Sequence, residues 1–191
     1  MKYYSGSMAE LEAQVAHQLS KKRFEHCLRV RDYAQKLASQ NQIDSEQAAV
    51  AGLVHDYAKE RSDAEFLAVI GAKHLDPDLV NWGNPVWHGI VGAEIIKDEL
   101  GITDPLILQA VRDHTTGAGA NMSKLSQVIF MADYLESGRD FPGVQTARTI
   151  TDEDLGQGVR FQIIHTLAYL AKNERPIYPK SLTTYNYWVT Q

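Results

Sequence analysis

The chain has 191 residues, of which 44% are hydrophobic, and a formal net charge of -5. This length suits one domain with a substantial core, and the acidic balance excludes a protein that tracks nucleic-acid backbones with a basic face. Cys27 is the only cysteine, which excludes an intramolecular disulfide and a thiolate-rich zinc knuckle. No stretch approaches the ~20 apolar residues of a membrane span, so we expect a protein that binds no membrane. The single cysteine predicts a cytoplasmic location, and the acidic charge predicts that the protein does not bind nucleic acid.

Apolar residues recur with the period of helices throughout the chain, so we predict an all-α fold. We expect residues 1 to 19 to form an N-terminal helical extension and residues 20 to 191 to form the main domain. Within that domain, Cys27, Val30 and Ala34 follow one another at steps of three and four residues. This spacing predicts an amphipathic helix over residues 21 to 40, with His26 near its start.

The second helix of the main domain is expected to be buried. Asp44 followed by Gln47 resembles a capping box, the pattern in which two side chains satisfy the first amides of a helix. Residues 48 to 54 then form an apolar run, which predicts a helix that is apolar on most sides. The pair His55-Asp56 is expected late in this helix.

Capping residues predict the starts of three further helices: Ser62 with Glu65, Asn84 with Pro85, and Asp104 with Pro105. The second of these is expected to run to Gly101, and it carries His88 in its first turn. The third is expected to run to His114 and to be closed by Gly117.

Two more apolar helices are predicted over residues 123 to 136, which include Asp133, and over residues 151 to 172. A turn with two prolines follows at residues 175 to 180. The aromatic segment from Tyr185 to Trp188 favours packing, or a homodimer contact, over a platform for stacking bases.

His55 and Asp56 are polar residues at the end of a buried helix, where they need partners or a metal ion to offset their desolvation. Taken alone, such a dipeptide is more often an ordinary buried polar pair. Here His26 precedes it and Asp133 follows it, each on a different predicted helix. Helices from distant parts of a chain can bring single side chains to one point in a bundle, so the ordered set favours a shared site.

The order of one His, a later His-Asp pair and a still later Asp resembles the HD superfamily, and longer runs resemble its YqeK group of bacterial proteins. These runs are Lys22-Arg23-Phe24-Glu25-His26, Ala51-Gly52-Leu53-Val54-His55-Asp56-Tyr57-Ala58-Lys59, Val86-Trp87-His88-Gly89, His114-Thr115-Thr116-Gly117, Ala132-Asp133-Tyr134-Leu135-Glu136 and Ile177-Tyr178-Pro179. The resemblance implies a single HD-domain helical bundle over residues 20 to 191. It also implies a symmetrical bis(5′-nucleosyl)-tetraphosphatase, which splits diadenosine tetraphosphate into two ADP with iron as the metal.

Carried over by position, the resemblance makes four residues the metal ligands: His26, His55, Asp56 and Asp133. Imidazole and carboxylate without thiolate suit iron, manganese, cobalt or zinc better than magnesium alone. His88 and His114 would either complete a second metal ion or contact substrate phosphate. We assign them to the phosphate and leave open whether one or two ions bind.

The resemblance also implies further contacts to the nucleotide and its phosphates. Lys59 and Arg139 would hold phosphate as cations, and Thr115 would add a hydroxyl donor. The turn at residues 175 to 180 would close over the nucleotide through Arg175, Pro176, Ile177, Tyr178, Pro179 and Lys180. Without the resemblance, Lys59 and Arg139 would be read as solvated surface charges.

Two rival functions remain at this point. One is an HD phosphohydrolase that acts on another nucleotide, such as a deoxynucleoside triphosphate or a guanosine polyphosphate. The other is a noncatalytic module that binds a nucleotide as a sensor, which the intact set of polar site residues disfavours. The remaining histidines, His17, His74 and His165, have no comparable neighbours and are interpreted as ordinary surface or core residues.

Overall fold

The computed structural model describes residues 1–191, and its regular structure consists of helices without any strand. The α-helices are α1 Met8–Gln18, α2 Lys21–Gln40, α3 Ser45–Val54, α4 Asp63–Ala72, α5 Asn84–Ile90, α6 Gly92–Leu100, α7 Pro105–Asp113, α8 Lys124–Leu135, α9 Val144–Glu153, α10 Leu155–Lys172 and α11 Pro179–Trp188. Short 3₁₀ helices span Pro77–Asn81 and Gly119–Asn121. The prediction of an all-α fold is confirmed. No helix combines the length and the hydrophobicity that crossing a bilayer requires.

Helix α3 lies at the centre of the bundle, packed against α2, α7 and α8. All its residues from position 47 to position 54 are buried, as the apolar run predicts. Gly52 allows α2 to approach closely, because a Cβ atom there would lie 3.0 Å from the Cα of Arg31 and 3.2 Å from the Cβ of Ala34. This contact packs the middle of α2 against the end of α3, and the ring centroids of His26 and His55 lie 5.3 Å apart.

The capping predictions are confirmed in part. Ser62 and Glu65 form both halves of a capping box at the start of α4. Asp44 caps α3 by accepting hydrogen bonds from the amides of Glu46 and Gln47. The second half of that predicted box is wrong, because the Gln47 side chain donates to Asp104 Oδ1 at 3.0 Å instead.

Two predicted helices have different bounds in the structure. The helix expected from residue 84 to Gly101 is interrupted at Val91, whose carbonyl oxygen accepts from the amides of both Glu94 and Ile95. The helix expected over residues 151 to 172 is divided at Asp154. This residue has an extended backbone, ends α9 and caps α10 by accepting from the Gln157 amide. The part of α9 before residue 151 was not predicted as a helix from the sequence.

Both ends of the chain pack on the same core. Leu11 and Val15 of α1 are fully buried, and α1 packs against α2 and α3. The aromatic segment after the two-proline turn belongs to α11, and Trp188 joins the core. The packing interpretation of this segment is therefore confirmed for Trp188, while a homodimer contact stays a prediction.

Candidate active site

Six polar side chains meet where the ends of several helices converge. Asp133 is partly buried and the other members are buried in the protein. The set consists of His26 on α2, His55 and Asp56 directly after α3, His88 on α5, His114 directly after α7 and Asp133 on α8. The structure thus brings together all four residues predicted as metal ligands, together with both additional histidines.

The first part of this cluster contains His26, His55, Asp56 and Asp133. Nε2 of His26 lies 3.1 Å from Asp133 Oδ1 and 3.8 Å from Asp56 Oδ2. Nε2 of His55 lies 3.5 Å from Asp56 Oδ2 and 3.9 Å from Asp133 Oδ1. Both Nε2 atoms are buried without a hydrogen-bond partner. Nδ1 of His55 donates to the Gly52 carbonyl oxygen at 2.7 Å, so its Nε2 lone pair points toward the carboxylates. Unpartnered imidazole nitrogens facing carboxylate oxygens fit a divalent metal ion.

Asp56 connects this first group to the second. Its Oδ2 faces His26 and His55, while its Oδ1 lies 3.4 Å from His88 Nε2 and 3.7 Å from His114 Nε2. Burial alone would raise the pKa of Asp56, but its contacts with the imidazoles of His55, His114 and His88 outweigh burial and hold this pKa well below its ordinary value. Asp56 is therefore ionised. Arg23 donates to its Oδ2 at 2.8 Å and supplies a nearby cation.

The second group contains His88, His114 and Lys59. Nδ1 of His88 donates to the Asn84 carbonyl oxygen at 2.5 Å, and Nδ1 of His114 donates to that of Val111 at 2.7 Å. The two Nε2 atoms lie 3.1 Å apart. The ammonium of Lys59 lies 3.1 Å from Nε2 and 3.3 Å from Nδ1 of His88. Burial and the Lys59 charge lower the pKa of His88 to about 3, so His88 is neutral and can accept from Lys59.

A glycine makes the approach of these two histidines possible. A Cβ atom at Gly89 would lie 3.0 Å from the Val111 carbonyl oxygen and 3.1 Å from Thr115 Oγ1. Helix α5 therefore presses directly against the end of α7, which places His88 beside His114. The Thr115 hydroxyl is buried there without a hydrogen-bond partner.

A cavity of about 360 Å³ opens beside His26, and no hydrophobic residue lines it. Its lining contains four cationic side chains, two carboxylates and three further residues: Lys22, Arg23, Arg29, Arg139, Glu60, Glu136, Ser20, His26 and Gly138. Arg139 also holds Asp133, because its Nε donates to the Asp133 carbonyl oxygen at 2.9 Å and its Nη2 donates to Oδ1 at 2.7 Å. The excess of cations in this cavity suits a polyanionic ligand.

The turn predicted to close over the nucleotide is divided between two places. Arg175 and Pro176 line a second cavity of about 550 Å³, whose walls include Trp82 and Tyr169. Tyr178 packs its ring edge-on against Trp82, with ring centroids 4.9 Å apart. The ammonium of Lys180 donates to Oδ1 of the fully buried Asp113 at 3.0 Å. The role of Lys180 as a phosphate contact therefore stays a prediction.

Four charged residues in or beside the cluster received no role in the sequence analysis: Arg23, Arg29, Asp113 and Glu136. Arg23 and Glu136 lie within the quoted runs, but nothing in a run distinguishes a charge directed inward from a solvated charge. Arg29 and Glu136 are 107 positions apart in the chain, so their contact has no local signal. The histidines interpreted as ordinary residues, His17, His74 and His165, are exposed.

The fold and this cluster agree with comparisons to known proteins. The family model described as HD domain matches residues 23–138, which include all six clustered residues. The chain belongs to the HD-domain family. Its buried histidines and aspartates fit the divalent metal site described above.

Particular relatives cover almost the whole chain. A protein of Halalkalibacterium halodurans named "Bis(5'-nucleosyl)-tetraphosphatase, symmetrical" is 39% identical over 88% of this chain and 89% of its own length. A Bacillus subtilis protein of the same name is 36% identical over 95% of this chain and 97% of its own length. A crystal structure described as a predicted HD superfamily hydrolase involved in NAD metabolism, from Clostridium acetobutylicum, is 31% identical with a TM-score of 0.91. It covers 97% of this chain and 98% of that chain.

Proposed function

We propose that this chain is a metal-dependent hydrolase that splits diadenosine tetraphosphate, and related dinucleoside polyphosphates, symmetrically into two nucleoside diphosphates. The observation that carries the proposal is the convergence of buried imidazole and carboxylate groups beside a cavity lined by four cations. Relatives that align with nearly the full chain bear the name of this activity.

The proposed metal ligands are His26, His55, Asp56 and Asp133. Their support is the pair of unpartnered imidazole nitrogens that face two carboxylates. A donor set of nitrogen and oxygen without thiolate suits iron, and also manganese, cobalt or zinc. When bound, such an ion lowers the pKa of a water ligand toward ~7 and offsets negative charge on phosphate.

The side chains around the cluster are proposed to orient and neutralise the polyphosphate. A tetraphosphate bridge repels an attacking anion until cations offset its charge. Arg23 and Arg139 lie on the His26 side of the cluster, where both line the cationic cavity. Lys59 lies next to His88. These three cations are proposed to hold the phosphates around the bond that breaks.

We assign His88 and His114 to the phosphate and not to a second metal ion. The ammonium of Lys59 lies 3.1 Å from His88 Nε2, where it would repel a divalent ion bound to the same nitrogen. In this assignment, Lys59 is anchored by His88 and directs its remaining N–H groups to phosphate oxygens. His114 lies beside His88, and its Nε2 is 3.1 Å from Nε2 of His88 and 3.7 Å from Oδ1 of Asp56.

The nucleoside is proposed to bind in the cavity lined by Trp82, Tyr169 and Pro176. Its aromatic and apolar walls suit a purine ring, whereas the cationic cavity has no apolar wall at all. Arg175 at its edge could contact a phosphate or the ribose. Of the turn expected to close over the nucleotide, Arg175 and Pro176 line this cavity, whereas residues 177 to 180 do not.

Product analysis tests the proposed function. The purified protein, loaded with Fe²⁺ without oxygen, is incubated with diadenosine tetraphosphate, and the nucleotides are separated by chromatography. ADP as the sole product supports the proposal, and AMP with ATP would oppose it. Release of tripolyphosphate from a deoxynucleoside triphosphate, or hydrolysis of a guanosine polyphosphate in preference, would support the first rival. Nucleotide binding without turnover under any metal would support the sensor.

A further inference from the structure

The four clustered histidines are not held in the same way. Nδ1 of each of three histidines donates to a backbone carbonyl oxygen one turn earlier in its own segment: His55 to Gly52, His88 to Asn84 and His114 to Val111. Nδ1 of His26 instead faces a carboxylate, since it lies 3.2 Å from Glu136 Oε1. His26 therefore depends on a side chain of a different helix for its orientation.

The Glu136 carboxylate is itself fixed by two further groups. Arg29 Nε donates to Oε2 at 2.6 Å, and the Gly138 amide donates to the same oxygen at 2.5 Å. Only 2% of Glu136 is exposed, so its carboxylate lies almost entirely within the protein. Its Oε2 pairs with the Arg29 guanidinium and the Gly138 amide, while its Oε1 faces His26.

The space for this arrangement is narrow. A Cβ atom at position 138 would lie 2.6 Å from Arg29 Nε and 3.0 Å from Glu136 Oε2. Any residue larger than glycine would have to displace the guanidinium or the carboxylate. The two groups thus fit together against the backbone that follows α8.

We propose that Glu136 is a positioning residue for metal binding, which holds Nδ1–H of His26 so that Nε2 faces Asp56 and Asp133. Arg29 keeps the carboxylate in place from its opposite side. An anionic partner on Nδ1 also makes Nε2 a stronger donor to a metal than a carbonyl partner does. This inference rests on the proposed function, because it takes His26 as a metal ligand.

The test measures metal affinity and not turnover. Co²⁺ is titrated into the purified full-length chain in competition with a chelating indicator, and the thermal unfolding temperature is recorded in parallel. Glu136→Gln keeps the size of the side chain and an oxygen for His26 but removes the charge. We expect it to weaken Co²⁺ binding by about 10- to 100-fold, as loss of an outer-shell partner typically does.

Glu94→Gln is the matched control, because Glu94 forms a similar 2.6 Å pair with Arg112 outside the cluster. It should bind Co²⁺ with the parental affinity. Parental affinity in Glu136→Gln would overturn the inference, as would an equal loss in Glu94→Gln. If Glu136→Gln does not fold, Glu136→Asp takes its place, because it keeps the charge but withdraws the carboxylate from Nδ1 of His26. Weaker Co²⁺ binding by this variant supports the inference, and parental Co²⁺ affinity overturns it. A parent chain that binds no metal would instead contradict the proposed function.

Discussion

The ammonium of Lys59 lies 3.1 Å from Nε2 of His88. A neutral imidazole and a protonated lysine can share a hydrogen bond, whereas a divalent metal ion on that nitrogen would meet the ammonium charge. This contact supports the assignment of His88 to the phosphate and not to a second metal ion.

The first prediction concerns the histidines of the phosphate position. His88→Ala and His114→Ala should keep the parental number of metal ions per chain and lower turnover by about 10²-fold, as loss of a transition-state contact typically does. His165→Ala, which removes an exposed histidine, is the control and should be neutral. Metal analysis checks the count. Two ions in the parent and one in either variant would show that these residues complete a second metal site.

The second prediction concerns the metal ligands. His55→Ala and Asp56→Ala should remove bound iron and turnover together, because His55 carries one of the two unpartnered imidazole nitrogens and Asp56 faces both of them. Circular dichroism should still report a largely helical protein, since the core of α3 is left in place. Near-normal iron content together with near-normal turnover in either variant would show that the assignment is wrong.

The sequence predicted those parts of the fold that depend on local signals. Ser62 and Glu65 form the predicted capping box because both partners lie within one turn. The break at Val91 was not predicted, since it coincides with the close packing of the flanking Gly89 and Gly92 against other segments, Gly92 against Ala58 among them. Such packing depends on residues far away in the chain.

The same distinction applies to the candidate site. His26, His55, Asp56 and Asp133 could be proposed from sequence because their order matches a known pattern, and the structure brings them together. Glu136 could not be assigned a role, since its partner Arg29 is 107 positions away. The pairing of Lys180 with Asp113 likewise depends on how α11 packs on the end of α7.

The third prediction compares two cations. Arg139 makes two hydrogen bonds to Asp133, so its planar shape matters, whereas Lys59 acts as a compact charge beside His88. Lys59→Arg should therefore reduce turnover less than Arg139→Lys. Alanine at either position should weaken ADP binding. Iron content should stay at the parental level in Lys59→Ala, whereas Arg139→Ala should also lower it, because this variant loses both hydrogen bonds that hold Asp133. Titration of ADP into the iron-loaded variants is the measurement, and unchanged ADP affinity in both alanine variants would remove these residues from the phosphate site.

The fourth prediction concerns the glycine between the two phosphate histidines. Gly89→Ala places a Cβ atom 3.0 Å from the Val111 carbonyl oxygen, so α5 must move away from α7. We expect a loss of stability of about 1–3 kcal/mol from overpacking, and a loss of turnover as His88 separates from His114. Thermal unfolding and steady-state kinetics measure the two effects.

Gly71→Ala is the control for this variant. Nothing lies within 4 Å of a Cβ atom at Gly71, which is part of α4. This change should raise stability by about 0.4–1 kcal/mol and leave turnover unchanged. Equal stability and equal turnover of Gly89→Ala and Gly71→Ala would mean that α5 and α7 are not closely packed.

The buried histidines and aspartates are proposed to bind a metal ion that supports symmetrical hydrolysis of a dinucleoside tetraphosphate. The most direct test follows the products of diadenosine tetraphosphate over time in H₂¹⁸O, with the protein loaded with Fe²⁺ under anaerobic conditions. We predict that ADP is the only nucleotide product, that one of every two ADP molecules carries ¹⁸O, and that removal of the metal by a chelator stops ADP formation. Formation of AMP and ATP, or equal ADP formation after complete removal of the metal, would contradict the proposed function.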